Sequence, residues 1–165
     1  MNTPHFDAAM GYRGRLEGPY ILAECWQTMP AAERPYALAQ AWCMAERPER
    51  ALGARCWVGL FRSVGFVSEA GQPAPLEPLQ LYRGATWGYR RGMAWTTDLA
   101  IARKFAKRFG VLGFDGDVFA AVVPPAGVLA YIDGTREGSE SEVLIDPAYL
   151  PPIRRASIIP PTPVL

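Results

Sequence analysis

A breaker-rich stretch, Gly71-Gln72-Pro73-Ala74-Pro75 followed by Pro78, divides the 165-residue chain into two parts of different character. Proline lacks an N–H and fixes φ, so neither a helix nor a central strand runs through such a segment. Before it, Ala31–Glu46 is rich in Ala, Leu, Met and Glu, with Pro30 near its start and Pro48 just past its end, and is predicted to be a helix. A second helix is expected over Ala51–Val64, with Trp57, Leu60, Phe61 and Val64 on one face. After the break, short β-rich runs dominate. Helices first and strands afterwards argue an α+β fold, N-terminal helices followed by a mostly antiparallel or mixed sheet. The organisation expected is a helical region over 1–75 packed on a core over 76–165, one structural domain in all.

Within the second part, Leu79–Arg83 is a predicted strand stopped by Gly84, and Met93–Thr97 is another. Leu99–Phe109 is the clearest amphipathic helix. It sets Leu99, Ala102, Phe105, Ala106 and Phe109 on one side and Arg103, Lys104, Lys107 and Arg108 on the other, with Thr97 or Asp98 as the cap. Further strands are expected over Asp117–Val123, Val128–Ile132, Ser141–Ile145 and Ile153–Ile159. Pro124-Pro125 and Asp146-Pro147 stop the first and third of these.

Composition removes several chemistries. The lone histidine, His5, lies near the N-terminus, so Ser-His-Asp and Cys-His catalysis and histidine-based zinc sites are not expected. Cys25, Cys43 and Cys56 form no CxxC pair, and their odd number suggests reduced thiols. Neither GxxxxGK[ST] nor GxGxxG occurs. The net charge of +1 gives no general reason to bind nucleic acid or membrane, although it permits a local basic patch. No signal-peptide pattern and no apolar run of about 18 residues is seen, so residence in the cytoplasm, or delivery as an effector without a cleaved signal, is the expectation.

Chemistry must then come from carboxylates, arginines, hydroxyls and aromatic rings. Three clusters offer them. Tyr82-Arg83-Gly84 puts a guanidinium fork at a strand end, suited to a phosphate, with a glycine that allows close backbone approach. Trp95-Thr96-Thr97-Asp98 places hydroxyls between a strand and a helix, where they either orient a carboxylate or cap the helix. Glu140-Ser141-Glu142-Val143-Leu144-Ile145 places two carboxylates two residues apart. On a strand both face one side, a like-charge pairing with no structural gain except on a solvent-facing edge.

In this order the three clusters resemble the arginine–serine–glutamate signature of ADP-ribosyltransferases, over roughly Leu79–Pro147. Glu140–Ile145 is similar to that family's Glu-x-Glu strand, and Leu81-Tyr82-Arg83-Gly84 matches its arginine motif. Thr96-Thr97-Asp98 stands where the family usually has Ser-Thr-Ser, so Thr96 keeps the first hydroxyl and Asp98 replaces the last serine.

The resemblance implies a sheet core of the ADP-ribosyltransferase type, NAD as substrate, no metal, and release of nicotinamide. It assigns Glu142 to the ribose, positioned by Thr96, and Arg83 to the phosphates. The Gly84 backbone would hold the nicotinamide amide, and Thr97 lies in the same nucleotide-binding run. Phe105 is a candidate to stack on nicotinamide, although its place on the apolar helix face equally fits the core. Glu140, two residues before the catalytic carboxylate, implies transfer to an arginine of a protein acceptor. It would orient that guanidinium and help remove its proton. NAD hydrolysis and a catalytically silent binding module are the alternatives. The N-terminal helices are open to covering the NAD cleft, binding a target or an inhibitory partner protein, or completing the core.

Overall fold

A computed structural model describes residues 4–132 and 141–156. Among these, contacts divide the chain into two compact units, Met1–Pro73 with Leu129–Ser141, and Ala74–Val128 with Glu142–Leu165. The fold class is α+β: helices come first, and the strands that follow pair mainly antiparallel. No helix among the described residues is long and apolar enough to cross a membrane. All three cysteines are free thiols.

The first unit holds α1 (Pro4–Arg13), α2 (Gly18–Cys25), α3 (Arg34–Met44), α4 (Pro48–Leu52) and α5 (Ala54–Val64), with β1 (Val67–Ser68). The helix expected over Ala31–Glu46 is shorter than predicted, and Pro35 enters in its first turn, where no N–H is needed. The helix expected over Ala51–Val64 is broken. Gly53 has φ 76°, a left-handed value that an α-helix cannot carry, and it separates α4 from α5. Trp42, Trp57 and Phe61 form the aromatic centre, with the Trp42 and Trp57 rings edge to face at 5.1 Å. The buried Trp57 donates its ring N–H to the Pro48 carbonyl at 2.8 Å. The strand β5 (Val128–Ile132) pairs in parallel with β1, Val67 opposite Ala130. That pairing returns Leu129–Ile132 to the helical unit.

The second unit is built on β2 (Leu79–Thr86) and β4 (Gly116–Val123). They form one antiparallel ladder from Leu79↔Val123 to Thr86↔Gly116, and β7 (Arg154–Arg155) joins the far edge of β4. A second antiparallel pair joins β3 (Ala94–Trp95) to β6 (Glu142–Ile145). Contrary to the sequence reading, Gly84 does not end its strand. β2 runs on to Thr86 because α6 (Leu99–Val111) lies directly on Gly84 and Gly116. A Cβ built on Gly84 would fall 2.1 Å from the Ala102 carbonyl oxygen, and one on Gly116 would fall 2.1 Å from that of Ala106. Asp98 caps α6, its carboxylate accepting from the N–H groups of Ala100 and Ile101 at 2.7 and 3.4 Å. The other face of β2 and β4 is buried through Leu81, Ala85, Phe119, Ala121 and Val123.

Candidate functional site

Alternation along β2 puts Tyr82, Gly84 and Thr86 on the α6 side and Leu81, Arg83 and Ala85 on the buried side. A guanidinium starting from an apolar face needs acceptors. Arg83 finds them in the connection to β3. Its Nε donates to the Tyr89 carbonyl at 3.0 Å, and its Nη1 donates to the Ala94 carbonyl. These bonds carry the charged end to the edge of β3.

That edge is where β2 and β3 part. They touch at one bridge, in which Tyr82 N–H donates to the Thr96 carbonyl at 2.7 Å and Thr96 N–H to the Tyr82 carbonyl at 2.9 Å. One step further the ladder would pair Gly84 with Ala94, but the Ala94 carbonyl accepts from Arg83 instead. Because main-chain groups alternate between strand edges, the N–H and C=O of Gly84 face the same side as those of Tyr82, into the parting.

Thr96 is the only buried polar or charged residue among the described residues, with 5% of its surface exposed. Its hydroxyl oxygen accepts from the Asp98 N–H at 3.1 Å. A hydroxyl that accepts through one lone pair still carries its own proton as a donor. The β3–β6 register, Ala94↔Leu144 and Trp95↔Val143, ends just before Thr96 on one strand and just after Glu142 on the other, so both residues adjoin the same end of the pair. Ile145 N–H donates to the Met93 carbonyl at 3.0 Å, which extends the β3–β6 contact at its other end. Val143, Leu144 and Ile145 are all buried, so β6 is covered on both faces, and the half-buried Glu142 stands at the mouth of an apolar strand. A solvent-washed edge strand, the plain explanation for a Glu-x-Glu pattern, does not describe β6.

The structure thus places the main chain of Gly84 and Thr96 and the bonded end of Arg83 at the β2–β3 parting, with Glu142 opening the adjacent strand β6. Phe105 meets Gly84 from the α6 side, the face that Thr96 shares through its pairing with Tyr82. Phe105 lies on α6 with its Cβ against Gly84 and the Arg108 guanidinium 4.7 Å over its ring, on the face of β2 opposite the Arg83 side chain. Thr97 is exposed and precedes the cap. Glu140 and the loop Asp133–Ser139 lie outside the described residues.

One group beside Arg83 escaped the sequence reading. Trp87 is 54% exposed, and its ring lies 5.9 Å from that of Phe119, the residue opposite Arg83 in the ladder. The guanidinium of Arg90 sits 3.9 Å from the Trp87 ring and that of Arg155 5.4 Å, while Arg155 also pairs with Asp117 at 3.1 Å. An open hollow of about 310 Å³ lies among Trp87, Asp115, Gly116, Asp117, Phe119 and Arg155. The run Trp87-Gly88-Tyr89-Arg90-Arg91, aromatic and cationic just past a strand, was the available signal. Among the described residues no group of three or more His, Cys, Asp or Glu side chains is placed to hold a metal ion.

No protein-family model matches the chain, and neither a curated protein nor a solved structure does. The residues themselves carry the functional argument.

Proposed function

We propose that the chain is an NAD-dependent mono-ADP-ribosyltransferase of the arginine–serine–glutamate type, acting on an arginine of a protein acceptor. The observation that carries this reading is the strand parting beside the buried Thr96. A guanidinium and a main-chain N–H and C=O pair border it from β2, and a carboxylate opens the neighbouring strand β6. Structural economy does not explain the combination. β2 and β3 would gain ladder bonds by closing, and a carboxylate is a costly choice beside three buried apolar residues.

In this reading the Gly84 N–H and C=O bind the nicotinamide carboxamide as a neighbouring strand would, and Arg83 pairs with the phosphates. The bond between nicotinamide nitrogen and ribose C1 breaks with its electron pair leaving on nicotinamide. Positive charge develops on the ribose, and the Glu142 carboxylate, oriented by the Thr96 hydroxyl, stabilises it. The acceptor guanidine nitrogen attacks C1 and gives up its proton to Glu140. A guanidinium is otherwise a poor nucleophile, its pKa lying above about 12.

Incubation of the pure protein with NAD and a cell lysate tests the proposal through nicotinamide release and mass-spectrometric mapping of modified arginines. Glu142→Gln keeps shape and removes charge, and is expected to lower both readouts by roughly 10²–10³-fold. Glu140→Ala is expected to abolish transfer while retaining NAD hydrolysis. An unaltered rate in Glu142→Gln would refute the role given to the carboxylate. Absence of nicotinamide release from the unaltered protein, with and without lysate, would refute the activity.

A further inference from the structure

The outer surface of α6 has a character that the proposed reaction does not use. Arg103, Lys104 and Lys107 are exposed and follow one face of the helix, and Arg108 is exposed beside them. The helix itself contains no acidic residue, and its cap Asp98 sits at the opposite end from Lys107 and Arg108. The chain as a whole is nearly neutral at +1, so this is a local concentration of charge rather than a reflection of composition.

Continuous with that face is an apolar tip. Val111 is 88% exposed, Leu112 66% and Phe114 61%, in three of four successive positions. Gly110 and Gly113 flank Val111 and Leu112, and Gly113 turns the chain with φ 77°. Val111 falls seven residues after Lys104, about two helical turns on, and four after Lys107, and so extends the cationic face. Large apolar side chains exposed side by side mark a surface that meets an apolar environment.

We propose that this surface docks on an anionic lipid membrane, the tip entering the interfacial layer while the α6 cations meet acidic headgroups. Shape and charge both favour this occupant. The apolar groups project from a turn at a helix end, and a fluid acyl layer accommodates a projecting tip without a matching groove. The adjoining cations complement a negative leaflet and would be badly placed against neutral lipid. The surface lies wholly within the second unit and is independent of Arg83, Thr96 and Glu142, so membrane binding and NAD chemistry are separable.

Co-sedimentation of the full chain with vesicles decides the matter. One set is pure phosphatidylcholine, and the other contains about one-third phosphatidylserine. Binding is expected only to the acidic vesicles and should weaken as salt rises. Lys104→Ala with Lys107→Ala should weaken partitioning roughly 25-fold, about fivefold for each cation removed. Leu112→Ser with Phe114→Ser should also release the protein, even at low salt. No binding to acidic vesicles would overturn the proposal. So would equal binding to both vesicle types, or binding that neither double variant alters. Salt-sensitive retention of a single-stranded RNA oligomer by a protein that ignores acidic vesicles would assign the same cations to nucleic acid and overturn it too.

Discussion

Replacing Gly84 with alanine adds one methyl group, and the structure says where it goes. The new Cβ would lie 2.1 Å from the Ala102 carbonyl oxygen, 2.5 Å from the Ala106 nitrogen and 2.7 Å from the Phe105 Cβ. Two of those three atoms are helix backbone, so no side-chain rotation relieves the clash. To reach even 3.0 Å from the Ala102 oxygen, α6 must retreat by about 0.9 Å along that line. A retreat of that size loosens Ala102, which is fully buried. Overpacking of this kind costs about 1–3 kcal/mol, and a backbone obstacle puts Gly84→Ala at the upper end, about 3 kcal/mol. For a chain of this length that is a fall of about 6–12 °C in unfolding midpoint, readable by circular dichroism. Gly116→Ala meets the same helix at Ala106 and should cost a similar amount. The two penalties should not add. A helix already displaced for one methyl has partly made room for the other, so the double variant should fall short of the sum by about 1 kcal/mol. Gly88→Ala meets nothing within 4 Å and is the control. An unchanged midpoint in Gly84→Ala, or full additivity in the double variant, would refute the packing argument.

Other outcomes follow from single groups. Thr96→Val should cost about 1–3 kcal/mol, because it leaves the Asp98 N–H without its acceptor, whereas Thr96→Ser should restore most of that in chemical denaturation. Asp98→Ala removes the carboxylate that caps α6 and should lower stability by about 0.5–2 kcal/mol, with Asp98→Asn close to the unaltered protein. Gly59→Ala, exposed in the middle of α5 with open space at its Cβ, should raise the midpoint by the equivalent of about 0.5–1 kcal/mol. Burial raises the phenol pKa of Tyr36, with smaller contributions from Asp7 and Glu69, and burial also raises that of Tyr131. A folded pKa above the unfolded value near 10.0 means that this contribution is complete below pH 10.0 and lost as pH rises past it. Phenolate absorbance should therefore rise late and with unfolding, and Tyr36→Phe should shift that alkaline transition upward.

Elements whose limits are written locally were legible. β4 and β5 carry β-branched and aromatic runs that stop at Pro124-Pro125 or start after a glycine, and β6 ends where Asp146 and Pro147 begin a turn. α6 was legible because its apolar and cationic residues separate at helical spacing. Gly84 was misread as a stop because its meaning is tertiary: a strand glycine punctuates or admits a neighbour, and only α6 distinguishes the two. β1 is two residues long and exists through its pairing with β5, so Val67–Ser68 had nothing local to announce it. At the candidate site, the residue types of Arg83, Thr96 and Glu142 were readable. The Tyr82–Thr96 bridge and the β3–β6 ladder that bring their strands together were not, because cross-strand pairing at long separation is set by the whole sheet. Phe105 was ambiguous for the opposite reason, since its helical spacing fixes a face but not what lies beneath it.

The pairing of β5 with β1 also bears on how the chain is made. Synthesis runs from the N-terminus, and the five helices emerge from the ribosome well before Leu129–Ile132. Until that strand appears, the edge of Val67–Ser68 that it will cover stays open, while the whole of β2, β3, α6 and β4 is translated in between. A nascent chain therefore carries an unfinished N-terminal unit through much of its elongation, an interval in which a holding chaperone would find an exposed strand edge to grip.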